Sequence, residues 1–114
     1  MKIDKGLIGG STVLLLLSLL EEKDRYGYEI IKELASRSNK TFQFKEGTLY
    51  PVLHKLENSG YVKSYMAKGD TGKERKYYQI TKKGEKQLIE EKNKWKLFSV
   101  AVNKVVGGEM HAAI

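Results

Sequence analysis

The stretch "TVLLLLSLL", residues 12–20, constrains this chain more than any other. Seven of its nine residues are apolar, so as a helix it is apolar nearly all round and must be covered on most sides. It is too short to cross a bilayer, which takes about 20 residues. No small-residue cleavage site follows it and "EEKDR" comes at once, which is not how a signal peptide ends. The rest of the chain therefore has to wrap around this helix. With 114 residues there is material for one small domain and an appended helix. A domain of this size buries only about two-thirds of its unfolded surface, so a second chain sharing core would help it.

The first helix reads as residues 10–22, with a short charged connection over 21–25. A second follows in "YGYEIIKELASRS", residues 26–38. There Ile30, Ile31, Leu34 and Ala35 share one face and Glu29, Lys32, Glu33 and Arg37 the other. Residues 39–45 are polar and break the pattern, with Phe42 and Phe44 as anchors to the core. The third helix lies in "EGTLYPVLHKLENSG", residues 46–60, and is stopped by Gly60. "YVKSYMA", 61–67, and "RKYYQIT", 75–81, alternate with period two around the glycine-containing turn "KGDTGKE", 68–74. They predict a two-stranded hairpin with Tyr78 and Ile80 on its core side. Thr81 is placed to cap a last helix over 82–106, ended by Gly107 and Gly108. The pair Gly9 and Gly10 reads as a helix boundary in the same way.

Three helices, a hairpin and a fourth helix make a mainly α chain with a small β-hairpin. That order predicts a winged helix-turn-helix over residues 1–81, followed by a long C-terminal helix and tail over 82–114.

Pro51 sharpens the third helix. The first four helical N–H groups have no intrahelical partner, so a proline near the front fixes the start no earlier than about Gly47. Leu49, Val52, Leu53 and Leu56 fall on the core side. Gly47, Pro51, His54, Lys55 and Asn58 fall opposite, with Thr48 and Tyr50 on the flanks. A small, polar and basic outer face suits a helix lying in a DNA major groove. Taken alone, the stretch fits an ordinary amphipathic surface helix better.

Charge favours the groove. Lys and Arg number 21 against 14 Asp and Glu, a net of +7, which points to a polyanionic partner. Residues 61–86 hold eight basic and three acidic side chains. Lys63, Lys68, Lys73, Arg75 and Lys76 make the hairpin a candidate wing along the phosphate backbone. Tyr65, Tyr77 and Tyr78 are candidate phosphate donors, although most tyrosines in such hairpins pack on the sheet.

Little supports catalysis. There are no cysteines, which excludes disulfides, thiolate chemistry and cysteine metal sites and fits a cytoplasmic protein. The two histidines, His54 and His111, are far apart and form no metal cluster. "GTLYP" has no lysine at the spacing of a phosphate-binding loop. The reading is a non-enzyme without cofactor, metal or membrane partner.

The blocks "YGYEI" (26–30), "GTLYPVLHKLENSGYV" (47–62) and "RKYYQITKKGEKQL" (75–88) resemble the PadR family of bacterial transcriptional regulators. With the first helix they cover most of residues 8–90, and the middle block is the most specific. The short length resembles the subclass with a single C-terminal helix. The resemblance implies a dimeric winged helix-turn-helix repressor that binds a double-stranded palindromic operator. It places Thr48, Tyr50, Pro51, His54 and Lys55 on the DNA-reading helix, and Lys73, Arg75 and Lys76 on the wing, to which the charge of the hairpin adds Lys68. Position 55 departs from the family, where arginine is frequent. Lysine is less directional than a guanidinium fork, so phosphate contact is favoured there over bidentate base readout.

On the last helix Leu88, Glu91, Trp95, Phe98, Val102 and Val105 step by three and four, a heptad-like seam that asks for a partner helix. The resemblance makes it the homodimer contact. Trp95 is either an interface anchor or, as in some multidrug-responsive relatives, a platform for a small aromatic or cationic effector. In the second case Phe98 completes the wall and Glu91 faces the cation. A dimeric interaction module, or a sequence-indifferent nucleic-acid binder of the same fold, stays open beside the specific regulator.

Overall fold

The computed structural model describes residues 11–107. Gly9, Gly10, Gly108 and His111, read above as boundaries and tail, lie outside the described residues.

Helix α1 spans Thr12–Glu22 and runs through the centre of the fold. Leu16, Leu17 and Leu20 are sealed from solvent, packed among Ile30, Leu49, Leu53 and Leu88. Truncating Leu16 to alanine here costs about 2–5 kcal/mol, transfer and cavity together. The cover is incomplete on one side, where Val13, Leu14 and Leu15 are only partly buried.

The charged connection after α1 is more than a connection. Arg25 and Tyr26 form a short strand, β1, paired antiparallel with a later strand, so the sheet has three strands where the sequence predicted two. Arg25 is buried, because its guanidinium has partners: Nε donates to the Leu19 carbonyl (3.1 Å) and Nη2 to Glu22 (2.8 Å). Glu33 lies 3.8 Å away, and Arg37 bridges both Glu22 and Glu33. Four charges thus tie the end of α1 to helix α2. A charge run in the sequence gives no sign of this, since Glu33 and Arg37 are brought up to it only by folding.

Helix α2 spans Gly27–Arg37, with Glu29 accepting from the Tyr26 N–H at 3.2 Å. Its end turns through Asn39 and Lys40, both with positive φ, before Phe44 drops into the core and Phe42 packs partly against it. Helix α3 spans Glu46–Asn58, starting one residue earlier than Pro51 predicted. Pro51 is therefore the sixth helical residue, inside the hydrogen-bonded ladder, and has no N–H for the Gly47 carbonyl. Gly47 is exposed, so water can serve that carbonyl.

Strands β2 (Val62–Lys68) and β3 (Glu74–Ile80) form the hairpin, and β1 adds to the far side of β3, giving the order β1-β3-β2. Val62 opposite Ile80, and Ser64 opposite Tyr78, fix which face is inward. Ser64 donates to Glu57 at 2.6 Å and so joins the sheet to α3. Helix α4 spans Lys82–Val106. The Thr81 hydroxyl accepts from the Gly84 N–H at 3.0 Å, the expected cap. Leu88 is buried in the chain's own core, and Lys92 pairs with Glu21 of α1. The first turns of α4 thus belong to the same core as the preceding elements. Beyond Leu88 the apolar side chains of the helix are exposed, from Ile89 onward.

Candidate nucleic-acid interface

Helix α3 divides into two faces. Leu49, Leu53 and Leu56 are buried and Val52 partly so. Gly47, Thr48, Tyr50, Pro51, His54, Lys55 and Asn58 are exposed. The core contacts hold the helix rigidly, and the outer face is free to meet a ligand. Its chemistry is small at the front, with a hydroxyl, a phenol, an imidazole and an ammonium behind.

Tyr50 is a partial exception. It is only about two-fifths exposed, and its ring lies against Gly27 at the start of α2. Burial first, and then the Glu46 carboxylate, raises the Tyr50 phenol above its ordinary range.

Pairing in the hairpin sorts the wing residues. Lys68, Met66 and Lys76 stand on the same face as Val62, Ser64, Tyr78 and Ile80, beyond the edge of the core. Lys76 is exposed, with its ammonium 5.6 Å from the centre of the Tyr78 ring. Lys73 is exposed at the turn. Arg75 stands on the opposite face, half-buried, with its guanidinium 4.7 Å from the centre of the Tyr26 ring. The four cations grouped in the sequence therefore do not form one row. Lys68 and Lys76 share a face, Lys73 sits at the tip, and Arg75 is turned towards β1.

Of the candidate phosphate donors, Tyr78 is core. Tyr65 donates to Asp24 at 2.6 Å, and this bond pushes its phenol up to about 12. Tyr77 stacks on Tyr65 at 5.7 Å and meets Tyr26 edge-on at 5.4 Å. These tyrosines build the outer face of the sheet. The contribution of Asp24 and Tyr26 was invisible in the sequence, because it depends on β1, whose two residues are too few for a periodic signal.

On α4, Trp95, Phe98, Val102 and Val105 are exposed in the single chain, as are Ile89, Leu97, Val100 and Val106. A helix bearing this much apolar surface is unusual for a protein in water by itself. The Trp95 and Phe98 rings lie 6.0 Å apart at a 33° tilt. Leu88 is not part of that exposed set, since it is consumed by the chain's own core. Glu91 has little exposed surface and accepts from Gln87 (2.7 Å) and Lys94 (3.4 Å). Among the described residues no group of three or more His, Asp or Glu side chains could hold a metal ion, and no helix is long and apolar enough to cross a membrane.

Three helices wrapped on a core, a reading-type third helix with a free face, and a basic hairpin after it define a winged helix-turn-helix. Residues 16–90 match the model of the transcriptional regulator PadR-like family, and the chain belongs to that family. It is similar to a structure of a transcriptional regulator from Clostridium thermocellum, with a TM-score of 0.80 and 39% identity, covering 87% of this chain and 96% of that one. It is also similar to a PadR-like transcriptional regulator from Bacillus cereus, with a TM-score of 0.81 and 32% identity, covering 91% and 99%. A transcriptional regulator of Mycobacterium tuberculosis is 30% identical over 95 residues, covering 83% of this chain and 72% of that protein. The family is one of regulators and not of enzymes.

Proposed function

We propose that the protein is a sequence-specific, homodimeric DNA-binding repressor acting in the cytoplasm. The observation that carries this is the division of α3. One face is locked in the core, and the other presents Thr48, Tyr50, Pro51, His54 and Lys55 beside a hairpin whose cations Lys68, Lys73 and Lys76 are exposed. The helix reads base edges in the major groove, and the hairpin lies along phosphates. The second chain covers the apolar surface of α4 around Trp95, Phe98, Val102 and Val105. Two-fold symmetry then sets the reading helices about 34 Å apart, on one face of a palindromic operator.

The test is selection from a pool of random duplexes at about 150 mM salt, followed by fluorescence anisotropy on the enriched duplex and a shuffled copy. Enrichment of a palindrome that binds far more tightly than its shuffled copy supports the reading. No enrichment, with equal binding to all duplexes, supports a non-specific nucleic-acid binder, and no binding at all an interaction module.

A second reading concerns release. The half-exposed, mutually tilted rings of Trp95 and Phe98 are a stacking wall for a flat aromatic or cationic effector at the dimer contact. Such a compound would quench Trp95 emission and lower operator affinity. Affinity is compared by calorimetry with that of a dimeric Trp95→Ala, Phe98→Leu variant, which keeps neither ring. Unchanged affinity would overturn the wall.

A further inference from the structure

We infer that Tyr50 is a positioning residue, seated on Gly27, and that the Tyr26–Gly27 dipeptide sets the reading helix relative to the wing. This rests on the DNA-reading role proposed above and names how its geometry is fixed.

The three atoms nearest to a Cβ built on Gly27 all belong to Tyr50: the hydroxyl oxygen, Cζ at 2.6 Å and Cε1 at 2.9 Å. The phenol occupies the space that a Cβ at position 27 would need, and as the far end of a partly exposed side chain it has to leave this seat to admit one. The backbone does not ask for glycine there, because Gly27 is not among the residues with positive φ. Alanine is also the better helix former. What excludes a side chain at the first position of α2 is the ring of Tyr50.

The residue before it is held from the other side. The Tyr26 ring carries the Arg75 guanidinium at 4.7 Å and meets Tyr77 edge-on at 5.4 Å, and both come from the hairpin. Tyr26 also pairs with Tyr77 in the sheet. Two adjacent residues therefore bear the reading helix on one side and the wing on the other. Beside the Ser64–Glu57 bond, which also joins the hairpin to the helix, this point spaces base-reading groups from phosphate-binding groups, and a shift of the Tyr50 seat moves one set against the other. Discrimination between duplexes depends on that spacing, while general attraction to phosphates does not.

The experiment is a cycle of Gly27→Ala, Tyr50→Ala and the double variant. Each is measured for binding to the selected operator and to its shuffled copy, and for thermal melting without DNA. Gly27→Ala is expected to weaken operator binding by about tenfold or more and shuffled binding by less than about twofold, the scale of a misread base pair. In the Tyr50→Ala background the same change is expected to cost nothing further on the operator, and to lose most of its effect on melting. Equal loss on both duplexes, or losses that simply add, would overturn the inference. A wild-type chain that binds both duplexes equally would overturn the DNA-reading role and this role with it. The melting cycle tells that case from a failure of the seat alone, because coupled melting effects show the seat without any DNA.

Discussion

Gly84 in the first turn of α4 lies against the Tyr61 carbonyl, so close that a Cβ on Gly84 would overlap the oxygen. The same Cβ would meet Ile80 Cγ1 at 2.8 Å. This approach locks the start of the long helix onto the hairpin base, where the Thr81 hydroxyl also reaches the Gly60 carbonyl at 2.7 Å. A backbone oxygen cannot step aside as a flexible side chain can. Gly84→Ala is therefore expected to destabilise the fold by about 1–3 kcal/mol, although alanine favours helices, and thermal unfolding would show it. An unchanged or raised melting temperature would mean the helix can shift freely.

Acid should weaken the junction between α1 and α2. The hydrogen bond from Arg37, aided by the charges of Arg37 and Arg25, holds Glu22 at about 2 against an ordinary 4.5. The unfolded chain binds this proton near 4.5 and the folded chain only near 2, so the folded state is favoured above that range. The contribution falls away as pH drops from 4.5 towards 2. Glu22→Gln should flatten the melting temperature across this window, and parallel profiles for the two proteins would contradict the link.

Lys55 tests readout on α3. If it contacts a base, Lys55→Ala should cost about 1–3 kcal/mol on the operator and much less on shuffled DNA. Equal losses in anisotropy titrations would assign it to a phosphate, the contact that the undirected ammonium of a lysine favours.

The wing is tested by salt. Lys68 and Lys76 share one exposed face of the hairpin. Replacing both with alanine should flatten the slope of log affinity against log salt by about two, one for each phosphate lost. A slope that stays the same would remove this face from the DNA backbone.

The exposed stripe of α4 is tested by charge. Phe98 is more than half exposed in the single chain and tilts onto Trp95. As an anchor between chains it is worth roughly 2 kcal/mol, so Phe98→Glu should raise the dimer dissociation constant by about thirtyfold or more. Sedimentation velocity across a dilution series reads this directly. A variant that stays as dimeric as the wild type would place the contact elsewhere.

The elements themselves were written in local pattern. The dense apolar run over 12–20 asked for a central helix, and the residues of α3 divide between core and solvent as their 100° spacing dictates. Alternation around a glycine turn gave the hairpin, and Thr81 gave the start of α4. The family was legible too, because its three blocks are contiguous in sequence. What local pattern could not hold was anything made by residues distant in the chain. Strand β1 exists only because β3 offers it an edge, and only folding adds Glu33 to the local partners of the buried Arg25. Leu88 looked like the first rung of a seam between chains, but the core of its own chain reached it first. Alternation alone puts Arg75 on the face opposite Lys76, but only folding brings the Tyr26 ring to stand there. Sequence spacing determines which way a side chain points on its own element. Only tertiary structure decides what stands opposite, because that depends on where the other elements come to rest.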